Sequence, residues 1–248
     1  HAVMLGLHSF GDYGAAFEAL GPYLADHGHL LVSYDQAGFG DRIQQGQWAG
    51  EEQLVSEAIF QIEQLYERYQ RPVFLVGESL GGAVAILAAL EVPDKVAGMV
   101  LAGPAVREGI RLRYGWNAAI ASAAFLAPGY RLTVDRRPDD PHLADHSAQR
   151  LATDPRVIRN VRMDAYWGLI QLADSASDRA PSIQTPSLLL YGGKDNSVPA
   201  AGISHLHDHL ADQGEYRFYP EGPHLLLQGP RWQQVADDIL DWIDRTPH

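Results

Sequence analysis

Residues 72–90 decide the fold, and they read Pro-Val-Phe-Leu-Val-Gly-Glu-Ser-Leu-Gly-Gly-Ala-Val-Ala-Ile-Leu-Ala-Ala-Leu. β-Branched and aromatic residues run up to Gly77, and helix-forming alanine, leucine and isoleucine follow, which predicts a strand, a sharp turn and a buried helix. Ser79 lies on the turn. Glycines at 77 and 81 let the strand and helix pass close together while the serine hydroxyl stays exposed. The stretch therefore predicts a nucleophile elbow. A turn that merely needs small residues is the simpler alternative.

Composition describes an ordinary globular chain. The 248 residues are 46% hydrophobic and 20% charged, which suits one domain with room for an inserted subdomain. No apolar run approaches the roughly 18 residues of a membrane span. The 31 acidic residues outnumber the 19 Lys and Arg residues, and a net charge of −12 argues against nucleic acid as a partner. The absence of cysteine excludes disulfides and thiolate metal sites.

The chain opens directly on strand-like residues, and no signal peptide is visible. We therefore expect a cytoplasmic protein, although a targeting segment upstream of residue 1 is left open.

Strand and helix patterns alternate along most of the chain, which predicts a mostly parallel sheet of about six strands flanked by helices. An amphipathic helix over 51–69 leads back to the elbow strand, and another over 231–243 closes the chain. The predicted strands are 2–7, 30–35, 72–76, 96–102, 187–191 and 215–219.

The pattern changes between residues 104 and 181, where no convincing strand appears. Helices are predicted over 110–126 and over 154–173, the second broken near Asn160. We expect the first of these helices to be buried rather than in contact with lipid. The charged, proline-rich segment 135–149 is predicted to be an irregular surface connection. The sequence thus predicts a helical insertion after the fourth strand.

A serine hydroxyl needs a base and a third group that orients the base, and after an elbow serine the expected chain order is serine, acid, histidine. His224 follows the last strand in a Gly- and Pro-flanked loop, and Asp195 follows the preceding strand. Both loops lie at the carboxyl edge of a parallel sheet, where strand-end loops converge. The alternatives are a surface-loop histidine and a turn or capping aspartate.

Other motifs are weaker. His205 and His209 are four residues apart on one helical face, with His207 between them, but no third zinc ligand is evident and a solvated helix face explains them better. His8 precedes the serine and ends a buried strand, so a loop-organising role is predicted. The Gly-x-Gly at 38–40 has Ile43 where a dinucleotide site needs a small residue. We expect neither a metal nor a cofactor.

Ser79 lies in the motif Gly-Glu-Ser-Leu-Gly, and Asp195 and His224 follow it in this order. With these features the chain resembles the α/β-hydrolase superfamily over nearly its whole length. The likeness is greatest to its monoglyceride lipase and lysophospholipase-like branch. The His-Ser-Phe-Gly at 8–11 is similar to its His-Gly-x-Gly loop, the segment 34–40 is similar to its Asp-x-x-Gly-x-Gly segment, and 154–180 is similar to its cap helices. Ser9 stands where the family usually has glycine.

The resemblance implies a hydrolase core over 1–103 and 182–248, with a helical cap over 104–181. Family members carry about two more strands before the first one here, so it also implies a truncated or lost sheet edge. Phe10 and Leu80 would supply the oxyanion-hole N–H groups. Four cap residues would line an apolar substrate pocket, with ordinary packing against the core as the alternative: Met163, Tyr166, Trp167 and Ile170.

The implied reaction is attack of Ser79 on an ester carbonyl, with His224 taking the proton, Asp195 holding the imidazolium, and hydrolysis of the acyl-enzyme. The implied partner is a small ester or lipid substrate, with transient contact to a lipid surface. An amide or thioester hydrolase on the same three residues, or a small-ligand binder without turnover, is the alternative.

Overall fold

The structure, a computed structural model, describes residues 1–109 and 115–247. Its strands are β1 (Val3–Leu7), β2 (Leu30–Ser33), β3 (Val73–Glu78), β4 (Val96–Ala102), β5 (Arg131–Thr133), β6 (Asn160–Arg162), β7 (Ser187–Gly192) and β8 (Gly214–Tyr219). Its helices are α1 (Leu20–Asp26), α2 (Glu51–Tyr69), α3 (Leu80–Glu91), α4 (Asn117–Leu126), α5 (Asp145–Thr153), α6 (Met163–Arg179), α7 (Ala200–Leu210) and α8 (Trp232–Arg245).

Six strands form one sheet in the order β2-β1-β3-β4-β7-β8, and every neighbouring pair is parallel. The predicted six-stranded parallel sheet is confirmed. Strands β1, β3, β4 and β7 are buried along their whole length. Helices α2, α3, α6 and α7 cover one face and α1 and α8 cover the other, so side chains on both faces of these strands are apolar. The elbow strand β3 is central in this sheet.

Residues 104–181 depart from the prediction in four places. β5 and β6 pair as a short antiparallel ribbon where no strand was expected, because three-residue strands leave too little alternation to be recognised. The helix predicted over 154–173 begins only at Met163, since 154–159 form an irregular segment that leads into β6. The segment 135–149 is not wholly an irregular surface connection, because α5 begins within it.

α5 is amphipathic and buries Ser147, Ala148, Arg150 and Leu151. The first helix predicted in the insertion also differs from expectation. Its residues 110–114 lie outside the described residues, and α4 is mostly exposed: it buries Ala124, while Phe125 and Leu126 are 86% and 80% exposed. The expectation that this helix is buried is therefore wrong for α4. In the part of the chain that the structure describes, no helix has the length and hydrophobicity needed to cross a membrane.

Candidate active site

The turn between β3 and α3 consists of Ser79 alone. Its φ of +53° and ψ of −113° lie where a residue with a side chain is disfavoured, so the surrounding structure must hold it there. Two backbone hydrogen bonds do so: Ser79 N–H donates to the Ala102 carbonyl at 3.0 Å, and Ala105 N–H donates to the Ser79 carbonyl at 2.8 Å. These bonds hold the serine at the carboxyl end of the sheet, with its hydroxyl free of any capping bond to α3.

The elbow glycines are required by close backbone approach. A Cβ at Gly77 would overlap the Gly81 carbonyl, and a Cβ at Gly81 would overlap the Leu7 carbonyl at the end of β1. Both contacts are to backbone, which cannot swing away as a flexible side chain can. The sequence pattern thus reflects real crowding between β1, β3 and α3.

Three residues from distant parts of the chain meet at this turn. The His224 ring contacts the Ser79 hydroxyl through Nε2, with an Nε2–Oγ distance of 2.9 Å, and contacts the Asp195 carboxylate through Nδ1, with an Nδ1–Oδ2 distance of 2.7 Å. Because a carboxylate only accepts, Nδ1 donates to it and Nε2 is left to accept the serine proton. This arrangement can turn the hydroxyl into a nucleophile.

Asp195 is oriented by its own loop. Its side chain is fully buried, and Oδ1 accepts backbone N–H bonds from Ser197 at 2.8 Å and from Val198 at 2.9 Å. The Val198 carbonyl in turn accepts a bond from the Tyr191 hydroxyl at 2.8 Å, which ties the loop to β7. The side-chain oxygen Oδ2 therefore faces the imidazole in a fixed position.

The loop after β1 is organised by His8. This histidine is fully buried, its Nδ1–H donates to the Ser9 carbonyl at 2.8 Å, and its Nε2 accepts the Gln36 backbone N–H at 3.0 Å. Only the neutral ring can do both, and burial lowers the pKa of His8 accordingly. Phe10 follows in this loop and lines a cavity beside Ser79.

Leu80 is the first residue of α3, so its N–H belongs to the group that has no partner within the helix. The two backbone positions predicted for an oxyanion hole thus flank the serine turn, one in the loop after β1 and one at the start of α3.

A buried polar network that the sequence did not predict lies behind the serine turn. Glu78 is fully buried and accepts bonds from the Leu227 backbone N–H at 2.8 Å and from Gln228 Nε2 at 2.9 Å. Arg150 Nη2 donates to Gln228 Oε1 at 2.7 Å, and Arg150 also pairs with Asp12 at 2.5 Å. The network ties α5 and the histidine loop to the elbow. The signal in the sequence was a glutamate at the end of an otherwise apolar strand.

A cavity of about 620 Å³ opens above the serine turn. Of the four predicted lining residues, Tyr166 and Ile170 line it, and Met163 and Trp167 are not among the lining residues. At about 100° per residue, the lining face of α6 runs through 166, 169, 170 and 173, so Trp167 points to the side and Met163 lies at the helix end. The cavity is also lined by residues that the sequence did not single out: Trp116, Ile120, Val134, Arg136, Ile158 and Val161.

The remaining motifs have structural contacts. His205 Nε2 contacts the Ser177 carbonyl at 3.2 Å, and His209 Nδ1 contacts the His205 carbonyl at 2.8 Å. In the Gly38 to Ile43 segment no helix opens, since the next one, α2, begins at Glu51. The geometry of a dinucleotide-binding turn is therefore not present there.

The parallel sheet carries a strained serine after a central strand, and later strand ends bring an aspartate and a histidine to that serine. This combination defines an α/β-hydrolase of the serine hydrolase class. The sequence profile of the Hydrolase_4 family, described as serine aminopeptidase, S33, matches residues 1–231, and the chain belongs to this family. The resemblance seen in the sequence is thereby confirmed at the level of superfamily and enzyme class.

Individual relatives agree with the family. The chain is 28% identical to a monoacylglycerol lipase of Mycolicibacterium smegmatis over 177 residues, which cover 69% of this chain and 62% of that protein, so the match spans less than two thirds of the relative. It is 28% identical to the human monoglyceride lipase over 241 residues, which cover 91% of this chain and 76% of the human one.

Solved structures share the fold. A monoacylglycerol lipase from Paleococcus ferrophilus superposes with a TM-score of 0.77 at 23% identity, covering 97% of this chain and 93% of that one. A soluble variant of the Saccharomyces cerevisiae monoglyceride lipase superposes with a TM-score of 0.82 at 18% identity, covering 100% and 87%. At these identities the likeness concerns architecture.

Proposed function

We propose that this protein is a carboxylic ester hydrolase that acts through an acyl-enzyme on esters with an apolar acyl chain, as a monoacylglycerol lipase or a lysophospholipase does. The observation that carries the proposal is the placement of one imidazole between the Ser79 hydroxyl, at 2.9 Å, and the Asp195 carboxylate, at 2.7 Å, below a largely apolar cavity. The names of the relatives, monoacylglycerol lipase and monoglyceride lipase, support an acylglycerol as substrate.

In this proposal Ser79 Oγ attacks the carbonyl carbon of the ester while its proton moves to His224 Nε2. Asp195 stabilises the imidazolium that forms and keeps its ring in place. The tetrahedral intermediate then expels the alcohol, which takes the proton from His224. A water molecule, deprotonated by the same nitrogen, attacks the acyl-enzyme, releases the fatty acid and restores the serine.

The oxyanion is assigned to the backbone N–H groups of Phe10 and Leu80. Leu80 opens a helix, where free N–H groups and the helix dipole favour negative charge. The loop that carries Phe10 is held by the two bonds of the buried His8 ring, which makes its backbone rigid although Ser9 replaces the usual glycine. Preorganised donors of this kind lower the barrier because they need not reorient during the reaction.

Residues 104–181 are proposed to act as a cap over the serine. They contain α4, the β5–β6 ribbon, α5 and α6, and they supply much of the apolar cavity wall. We assign contact with the acyl chain to Tyr166 and Ile170 and not to Met163 or Trp167, because neither of the latter lines the cavity. A cavity of about 620 Å³ is in the range of pockets that bury most of a drug-sized ligand.

The test compares the wild-type protein with Ser79→Ala on monoacylglycerols of short, medium and long acyl chains. We expect the substitution to lower kcat by about a million-fold, because the remaining groups cannot form an acyl-enzyme. Ser122→Ala is the control, since that hydroxyl lies exposed on α4 and, among the described residues, bonds only to the Ala118 carbonyl. Comparable ester turnover in the wild-type and Ser79→Ala proteins would remove the serine from the mechanism. Hydrolysis rates of matched amide and thioester substrates in the same panel show which leaving group the enzyme prefers.

A further inference from the structure

Arg136 lies in the wall of the same cavity that contains Ser79 and His224. It is half-buried and follows β5 by three residues. Within residues 1–109 and 115–247, its guanidinium forms no hydrogen bond and no ion pair. It therefore presents a positive charge to the cavity that no side chain of the described chain neutralises.

The charged groups around Arg136 are already engaged with other partners. The groups that act on it electrostatically are Asp12, Asp140 and Arg150. Asp12 is bonded to Arg150 and to Gln228, and Asp140 bonds to His142 at 3.1 Å. Within the described residues, neither carboxylate forms a hydrogen bond or an ion pair with Arg136.

The cavity wall is also unusual in its charge. In the described ranges of the chain it contains two arginines, Arg107 and Arg136, and no carboxylate, although the whole protein carries a net charge of −12. Arg107 is neutralised, because it bonds to Asp174 at 3.3 Å and to Asn117 at 2.7 Å. Among the wall residues that the structure describes, Arg136 is thus the unneutralised cation.

Keeping the guanidinium charge in the cavity wall costs free energy of hydration. Burial lowers the pKa of Arg136, which reflects the loss of water around the guanidinium. Charged groups in such positions are usually paired, and here a bound ligand is the partner that the cavity can supply. A guanidinium offers two parallel N–H donors, which fit the paired oxygens of a carboxylate or a phosphate.

We propose that Arg136 is a specificity-determining residue that binds an anionic oxygen group, a carboxylate or a phosphate, on the ester substrate. The preferred substrate then combines an apolar chain with one anionic group, which the neutral head group of a monoacylglycerol lacks. This inference rests on the proposed ester hydrolysis at Ser79 and names the substrate class for that same site.

The experiment measures kcat/KM on two matched pairs of substrates. In the phosphate arm, a monoacylglycerol is compared with the acylglycerol phosphate of the same chain. In the carboxylate arm, the dimethyl ester of a dicarboxylic acid is compared with its monomethyl ester. Each pair is tested with the wild-type protein, with Arg136→Gln and with Arg137→Gln, whose side chain is exposed and does not line the cavity.

We expect Arg136→Gln to lower kcat/KM for the charged member of at least one pair by about 10- to 100-fold, the effect of losing a charged hydrogen-bonded partner. The neutral member should change by less than about three-fold, in the range of a substitution that removes no contact with it. Arg137→Gln should change neither. The pair in which kcat/KM for the charged member falls shows whether the anionic group of the substrate is a phosphate or a carboxylate.

An unchanged ratio of charged to neutral substrate in both arms would overturn the proposal. If Ser79→Ala abolishes turnover of the neutral esters in that case, only the role of Arg136 fails and the proposed hydrolase function stands. A second measurement does not depend on the variant folding: an alkyl phosphate and an alkyl carboxylate should inhibit neutral ester hydrolysis by the wild-type protein more strongly than the alcohol of the same chain. Equal inhibition by the anions and the alcohol would also reject the proposal.

Discussion

Glu78, which precedes the candidate nucleophile, is a buried carboxyl whose pKa is clearly shifted by the fold. Burial raises its pKa to about 7, and the bonds from Gln228 and the Leu227 N–H offset only part of that cost. Asp12 pairs directly with the Arg150 guanidinium, and Glu78 is linked to the same guanidinium through the amide of Gln228. A second negative charge in this network is therefore poorly compensated, and a proton on Glu78 relieves it.

The raised pKa predicts a pH-dependent stability. The folded protein holds the Glu78 proton up to about pH 7, whereas an unfolded chain releases it near the ordinary value of 4.5. The folded state thus binds more protons in this window, and its stability falls as pH rises through it. We expect the free energy of unfolding of the wild-type protein, relative to Glu78→Gln, to fall by about 2 kcal/mol from about pH 5 to about pH 8.

Urea unfolding at the two pH values measures this difference. Glu67→Gln is the matched control, because its side chain is exposed on α2. If the wild-type and Glu78→Gln proteins keep the same stability difference at both pH values, the carboxyl does not titrate in this window.

At the scale of the secondary-structure elements, α6 connects the cavity to the core. One of its faces carries Tyr166 and Ile170 into the cavity wall, and its later turns pack against α3. A third contact lies at Gly168, where the ring of Trp48, from the long loop before α2, covers the helix backbone. The rotation of α6 about its axis is set by these contacts together.

Gly168→Ala tests that packing. The added methyl group would overlap the Trp48 ring, so the loop or the helix must shift. We expect a loss of about 1–3 kcal/mol in the free energy of unfolding, the usual cost of overpacking, despite the better helix propensity of alanine. Gly115→Ala is the control, since an added Cβ there meets no atom of the described residues within 4 Å. Urea unfolding followed by tryptophan fluorescence measures both, and an equal or higher stability of Gly168→Ala would contradict the tight contact.

At the scale of the whole molecule, the buried pair of Arg150 and Asp12 joins the insertion to the sheet. Arg150 belongs to α5, and Asp12 follows the loop that carries Phe10. Their side chains are 8% and 1% exposed and lie 2.5 Å apart. The position of the proposed cap therefore depends on an ion pair whose charges are almost fully removed from water.

Removing one charge of this pair should be costly, because the other is left buried. We expect Arg150→Met to lower the free energy of unfolding by about 3–5 kcal/mol, and a second substitution, Asp12→Asn, to recover part of the loss. Arg137→Met, at an exposed position, should change it by less than about 0.5 kcal/mol. A double mutant less stable than Arg150→Met alone would show that the buried charge is not the cause.

The sequence by itself determined the sheet, the elbow and the three residues that meet there. These features follow from local rules: strand and helix periodicity, the crowding that requires Gly77 and Gly81, and the convergence of parallel strand ends, which brings Asp195 and His224 to the serine turn. Each rule acts within a few residues, or on strand order alone, so a single sequence contains enough information to apply it.

Only the tertiary structure decided the interior of the insertion and what surrounds the serine. β5 and β6 are too short to show alternation of apolar and polar residues. The rotation of α6 about its axis brings Tyr166 but not Trp167 into the cavity wall, and this rotation depends on the packing of α6 against α3 and Trp48. The polar network joins residues more than 200 positions apart in the chain, as in the 3.2 Å bond between Gln228 and Asp12. Arg136 reads as a surface charge until the fold places it in a cavity wall, because burial and pairing are properties of contacts that local sequence does not contain.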